Sequence, residues 1–163
     1  MILITAVDKN WGIGRDNQLL YSLPEDMAFF RKQTLGKTVL MGWKTLESFK
    51  NSKPLPKRQN VVLTKQKIDS LYENLKYINS INEIDINDDS VVLIGGASLY
   101  KQFYNDCNYA FITKIDAEDV TPDVYFPNLD KEKKWEIVTT IEKSVSQNGI
   151  KYEILLYKNN KEV

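Results

Sequence analysis

The chain has 163 residues, 42% of them hydrophobic and 27% charged, a composition expected of one soluble globular domain spanning residues 1–163. Lys+Arg and Asp+Glu both number 22, so the formal net charge is zero, and no long basic run occurs; nucleic acid is excluded as the main partner. The single cysteine, Cys107, excludes an internal disulfide, and without CxxC, HExxH or EF-hand spacing no metal is expected.

The opening residues Met1-Ile2-Leu3-Ile4-Thr5-Ala6-Val7 are apolar but lack a basic leader or a cleavage-like region, and residues 2–7 read as a buried strand. No apolar run approaches the roughly 20 residues that cross a bilayer. The expected form is a cytoplasmic monomer with no heptad or interface stripe. A loop rich in Gly, Asn and Asp follows over residues 8–22. Pro24 then suits the first turn of a helix, with Glu25 and Asp26 near its positive end and Gly36 as its stop.

Residues 38–41 read as a second strand, and Gly42 turns the chain into a short helix through Phe49. A loop with Pro and Lys over residues 51–59 leads to a strand at 60–64, a short helix at 68–76 and a short strand at 77–78. After an acidic loop at 85–89, residues 91–94 form a strand, Gly95-Gly96 a sharp turn, 97–104 a helix and 109–115 a strand. Two last strands, 135–143 and 151–158, are joined across Gln147-Asn148-Gly149, where Asn-Gly signals a turn. Strand–helix alternation with an antiparallel finish predicts an α/β fold, a mixed and mostly parallel sheet flanked by helices.

Glycines at strand ends, Gly12 and Gly14, Gly42, and Gly95-Gly96, allow backbone N–H groups to approach an anion closely. The Rossmann fingerprint fails, because Asn17 stands where a third glycine is required, and each glycine turn taken alone reads first as a plain turn, while the strand–Gly–helix units together favour an anion-binding edge. The chain contains no histidine, so proton chemistry near neutral pH falls to a carboxylate in a tuned environment. Asp26 is the candidate, since on a helix it shares a face with Met27 and Phe30. The bland alternative is an exposed first-turn acid. Arg58, behind Pro54-Leu55-Pro56-Lys57, has the fork to grip a carboxylate, or is a solvated loop cation. Thr113, inside an apolar strand, is a pocket hydroxyl or a half-buried strand former.

Taken in order, these pieces resemble a known family. Gly12-Ile13-Gly14 with Asn17 and Leu19, Leu23-Pro24-Glu25-Asp26 with Phe30, and Met41-Gly42 with Thr45 and Glu47-Ser48 are similar to dihydrofolate reductases of bacterial type. So are Pro54-Leu55-Pro56 with Arg58-Gln59-Asn60, the run from Val61 to Thr64, Ile94-Gly95-Gly96 with Tyr100, Thr113-Lys114-Ile115 and Phe126-Pro127. The resemblance covers nearly the whole chain. It implies reduction of 7,8-dihydrofolate to tetrahydrofolate with NADPH as hydride donor.

The resemblance also implies roles. Asp26 would bind the pterin and favour protonation of its imine nitrogen, with Thr113 in the same hydrogen-bond network. Tyr21, where the family often carries tryptophan, would stand beside them as a third catalytic residue. Ile4, Ala6, Met27, Phe30 and Ile94 would line the pterin and benzoyl pocket, and Arg58 would hold the glutamate carboxylate. On the cofactor side, Ala6 and the loop carrying Ile13, Gly14, Asn17, Gln18 and Leu19 would close over the nicotinamide. Gly42, Lys44 and Thr45 would start one phosphate-binding helix. Gly95 and Gly96, a pair joined by a cis peptide in the family, with Ala97, Ser98, Leu99, Tyr100 and Gln102, would flank the pyrophosphate and nicotinamide. Trp43 stands where an arginine commonly binds phosphate; it offers a face for adenine but no charge, leaving Lys44, Thr64 and Lys65 for that anion. Residues 50–53 make a slightly longer loop than in some members. Two other readings remain open on the residues, a related reductase acting on a pyrimidine intermediate of riboflavin synthesis and a non-catalytic folate- or nucleotide-binding protein.

Overall fold

In the computed structural model, which describes residues 1–162, strand β1 (Ile2–Val7) runs through the middle of an eight-stranded sheet. Its unbroken apolar run suits that place, because a strand covered on both faces needs no polar alternation. It lies parallel to β6 (Val91–Gly95) on one side and to β7 (Tyr109–Ile115) on the other. Beyond β6 come β3 (Thr38–Gly42), β4 (Gln59–Leu63) and β5 (Leu75–Ile78), all parallel. Beyond β7 come β10 (Lys151–Asn159), antiparallel to it, and then the edge strand β9 (Trp135–Val145). The order is β5-β4-β3-β6-β1-β7-β10-β9, the expected mixed sheet with an antiparallel C-terminal pair.

Alternate residues of each strand serve opposite faces. Ile2, Ile4 and Val92 meet Phe29 and Phe30 of helix α1 (Pro24–Thr34). On the same face Val39, Met41 and Val62 meet Leu46 of α2 (Trp43–Ser48). The opposite face carries Leu3, Leu40, Leu93 and Ile112 against Leu99 and Tyr100 of α3 (Ala97–Phe103), with Trp11, Phe126 and Trp135 closing that layer. A fully buried leucine such as Leu93 contributes roughly 1.5–3 kcal/mol.

Helix α1 starts as expected, with Pro24 in its first turn and both acids beside it, but Leu23 gives it no side-chain cap. It ends at Thr34, and Gly36 takes the left-handed φ of +74° that turns the chain away. The β9–β10 connection closes by bonds from Ser146 N to Ile150 O and from Gly149 N to Ser146 O.

Three local expectations need correction. Residues 68–76 form no helix, and their end, Leu75, already belongs to β5. Leu71 is 96% exposed there, and Ser70 Oγ both donates to the Tyr72 carbonyl and accepts from its N–H, so local side-chain bonding replaces a helix with nothing to bury. The loop over residues 8–22 contains β2 (Gly12–Gly14), which pairs antiparallel with β8 (Val124–Tyr125) in a separate two-stranded sheet. Strand β9 runs two residues past the expected Lys143 to Val145, and its register against β10 breaks twice, leaving Ile141 and Val138 without a partner residue.

Candidate active site

Helix α1 crosses the face of the sheet so that Asp26 meets β7. Thr113 Oγ1 donates to Asp26 Oδ1 at 2.6 Å. Thr113 is buried and stands opposite Ala6 in the β1–β7 register. Asp26 is half-buried, and that burial raises its carboxyl above the usual range, while the Thr113 bond pulls in the other direction. The bland reading of Asp26 as a solvated helix-end acid therefore does not hold. Ile4, Phe30 and half-buried Ile94 pack in one cluster, half-buried Ala6 follows Ile4 on the same face of β1, and Met27, next to Asp26 on α1, is 47% exposed. The result is an apolar wall with one proton-bearing group, suited to a flat heterocycle with a polar edge.

Two turns along α1 lies a cationic end. Arg58 is 7% exposed; its Nε donates to the Pro56 carbonyl at 2.9 Å and its Nη1 to Thr34 Oγ1 at 3.0 Å. Burial, with Arg31 close by, holds its guanidinium below the ordinary arginine range. Among the described residues no carboxylate pairs with either arginine's side chain at this end of the cleft. A buried cation beside another cation, with no anion, has the chemistry to accept an acidic ligand group. Asn60, fully buried, holds the loop that presents Arg58: its Oδ1 accepts from Leu55 N, and its Nδ2 donates to the carbonyls of Leu55 and Arg58.

The other edge of the cleft is made by glycine. The Gly95–Gly96 peptide is cis, and Gly95 has φ +139°. A Cβ on Gly95 would lie 3.1 Å from Thr45 Oγ1, and one on Gly96 3.3 Å from it, so α2 seats directly on this pair. A Cβ on Gly42 would sit 3.4 Å from Leu99. These glycines let the starts of α2 and α3 pack closely on the carboxyl ends of β3 and β6, a strand-end and helix-start arrangement suited to the pyrophosphate of a dinucleotide. Asn17 Nδ2 donates to the Lys44 carbonyl at 3.0 Å, which ties the glycine loop to α2. Arg15 pairs back to Gln18 across a tight bridge, and Leu19 is 60% exposed at the mouth. Ile13 instead packs against the core.

Some expected site residues are engaged elsewhere. Tyr21 donates its hydroxyl to Asp119 Oδ1 at 2.6 Å and accepts from Val120 N at 3.0 Å, so it braces the loop before β8 and makes no bond to Asp26. Tyr100 is buried with its hydroxyl on the Ile4 carbonyl at 2.7 Å, which locks α3 to β1. Gln102 donates to Ser98 Oγ at 3.1 Å on the outer side of α3, which begins at Ala97. Thr64 Oγ1 accepts from Gln66 N, and Lys44 and Lys65 are exposed without an acidic partner among the described residues.

Sequence reasoning missed Arg31, Thr34, Asn60 and the loop acids Asp119 and Asp123. The first two carried a signal, since Asp26, Met27, Phe30, Arg31 and Thr34 follow helical spacing. Asp123 carried none: its Oδ2 accepts from Asp16 N and its own N–H donates to the Gly14 carbonyl, pairings more than 100 residues apart in sequence.

The model of the family described as dihydrofolate reductase matches residues 1–159. A dihydrofolate reductase from Haemophilus influenzae is 41% identical over 143 residues, covering 83% of this chain and 82% of the relative. One from Bacillus subtilis is 36% identical over 159 residues, covering 95% and 92%. One from Neisseria gonorrhoeae is 34% identical over 158 residues, covering 95% of each. With the family match running through both halves of the cleft, the chain belongs to the dihydrofolate reductase family.

Proposed function

We propose that NADPH is the hydride donor and that Asp26, held by Thr113, manages the proton. The family's reaction makes the chain an enzyme that reduces 7,8-dihydrofolate to tetrahydrofolate with a nicotinamide cofactor. Reducing the C=N bond places a hydride on carbon and a proton on nitrogen. The reduced nicotinamide ring, when bound, supplies the hydride. The observation that carries the reading is the 2.6 Å Thr113–Asp26 bond in an otherwise apolar cleft.

Asp26 binds the polar edge of the pterin, and its raised pKa keeps a proton available at higher pH than an ordinary aspartate allows. Phe30, Met27 and Ile94 exclude water from the ring. Arg58, with Arg31 beside it, takes the glutamate carboxylates and fixes the substrate's length axis. The strand ends and helix starts at Gly42, Thr45, Gly95 and Gly96 hold the dinucleotide backbone, and the loop from Ile13 to Leu19 covers the nicotinamide. Lys44, Thr64 and Lys65 serve the extra phosphate of NADPH.

One sheet holding strands from Ile2 to Asn159 supports a single domain, and the two register breaks in β9 blunt the edge that a second copy would pair with, which supports a monomer. The cytoplasm, where reduced nicotinamide dinucleotide is available, is the compartment we assign. Loss of NADPH absorbance that depends on dihydrofolate, measured for the wild type and for Asp26→Asn, tests the reading. Turnover that falls by roughly 100-fold or more in the variant supports it. Unchanged turnover removes Asp26 from the mechanism.

A further inference from the structure

Asp8 is a buried acid with no part in the proton or hydride chemistry. It follows β1 directly, lies on no helix or strand, and is 3% exposed. A carboxylate so far from water is costly unless its oxygens are bonded. Its Oδ1 accepts from Asn10 N at 2.8 Å and from Gly12 N at 2.7 Å. The backbone closes the same turn, with Asp8 N donating to the Gly12 carbonyl at 3.0 Å and Trp11 N to the Asp8 carbonyl at 3.1 Å. Among the described residues Oδ2 has no hydrogen-bond partner. A turn alone asks for less, since an exposed Asn or Ser makes the same kind of side-chain bond without burying an acid.

The turn decides where the covering loop begins. Trp11 sits in it at φ +62°, a left-handed conformation that residues with a Cβ adopt at a cost. Its indole enters the core, stacked on Phe126 at 6.3 Å and edge-on to Tyr157 at 6.4 Å between ring centroids. The Trp11 carbonyl accepts from Phe126 N at 2.8 Å, and Gly12, next in the chain, opens β2 against Tyr125 of β8. Gly12 is closely held: a Cβ there would run into the Pro122 ring on one side and lie 3.0 Å from Asp8 Oδ2 on the other. Residues 13–19 continue from this fixed point, and Asn17 bonds to the Lys44 carbonyl at the far end. Asp8 is thus the side chain that joins the end of β1 to the first residue of β2.

Resting on the reading of that loop as the cover of the nicotinamide, we infer that Asp8 is a positioning residue for the hydride donor: by clamping the Asn10 and Gly12 amides it presets the root of the loop, so that the loop is aimed over the ring before the cofactor binds. Preorganisation of this kind strengthens cofactor binding and speeds the hydride step. It leaves dihydrofolate binding alone, because Asp26 and Arg58 serve that from α1 and from the loop before β4. Asparagine at position 8 keeps an acceptor in the place of Oδ1, whereas alanine offers the two amides nothing.

Dissociation constants for NADPH and for dihydrofolate, and single-turnover hydride rates at saturating NADPH, test the assignment in the full-length wild type, Asp8→Ala and Asp8→Asn. Asp8→Ala should weaken NADPH binding and slow the hydride step by roughly tenfold each, with dihydrofolate affinity unchanged. Asp8→Asn should recover most of both losses. If Asp8→Ala does not fold, Asp8→Glu, which displaces the acceptor by a methylene, takes its place with the same expectations. Wild-type NADPH affinity and hydride rate in the variant, equal loss of dihydrofolate and NADPH affinity, or no recovery in Asp8→Asn overturns the assignment while NADPH-dependent turnover of the wild type stands. Absence of that turnover overturns the nicotinamide reading, and the assignment with it.

Discussion

Thr113 is a small residue with a large influence, because its one hydroxyl is the only protein hydrogen bond to the Asp26 carboxylate among the described residues. Thr113→Val preserves shape and removes the bond, so the carboxyl should titrate at still higher pH and kcat/KM should fall by roughly tenfold, read from pH–rate profiles of both proteins. Arg58→Leu should weaken dihydrofolate binding by roughly 30-fold or more while sparing cofactor affinity; equal loss of both by titration would contradict the carboxylate role. Asn60→Leu acts one step back. It leaves the Leu55 amide without its partner and should cost about 1–3 kcal/mol in urea unfolding, while also weakening dihydrofolate binding. Asp26 and Arg58 were legible as chemistry in the sequence because each is a charge in unusual company. Asn60 was quoted only as part of a motif, since a polar residue beside a strand does not reveal that it will be fully buried. The hydroxyl of Tyr21 shows the reverse: a residue type suited to the site is spent on a loop acid that only the folded chain brings near.

At the scale of elements, α1 is held by its neighbours more than by its own cap. Glu25 Oε2 accepts from Ser146 Oγ and Oε1 from Gln147 N, both at 2.9 Å, so the first turn of α1 is pinned to the β9–β10 connection. Backbone N–H groups, first its own and then that of Gln147, hold the Glu25 carboxyl below the usual range. A lowered carboxyl pKa contributes stability that is present above the unfolded-state value and is lost as pH falls through the folded-state value. Glu25→Gln should therefore lower Tm near neutral pH and reduce the loss of Tm on acidification; parallel Tm–pH curves for the two proteins would contradict the tether. The central strands were legible because their apolar runs have one explanation, burial on both faces. Residues 68–76 and the β2–β8 pair were not: the first follows from local bonding by Ser70, the second from a pairing between Gly12 and Tyr125 that no local pattern encodes.

The whole molecule is two apolar layers about one sheet, and the cleft is cut into one of them. Leu93→Ala, in the layer away from the cleft, should cost about 2–5 kcal/mol in urea unfolding and leave the cleft's chemistry in place. Asp26 works against that stability. Its raised pKa favours the neutral form in the folded protein, so its contribution is full below the unfolded-state value and is lost as pH rises through the folded-state value. Asp26→Asn should consequently be as stable as the wild type in acid and more stable at neutral pH. The ordered series of short motifs made the overall architecture readable, because together they fix strand ends and glycine turns along the chain. How the two arginines, the threonine hydroxyl and the carboxylate converge was not readable, since that depends on α1 lying across β1, β6 and β7.

The rate of the hydride step as a function of pH, followed in single turnovers of the wild type and of Asp26→Asn, is the measurement to make. The wild-type rate should fall as pH rises through a value above the ordinary aspartate range, as the Asp26 proton is lost, and the variant should be slow and without that titration. The same pH dependence in both proteins, or a variant as fast as the wild type, would contradict Asp26 as the group that manages the proton.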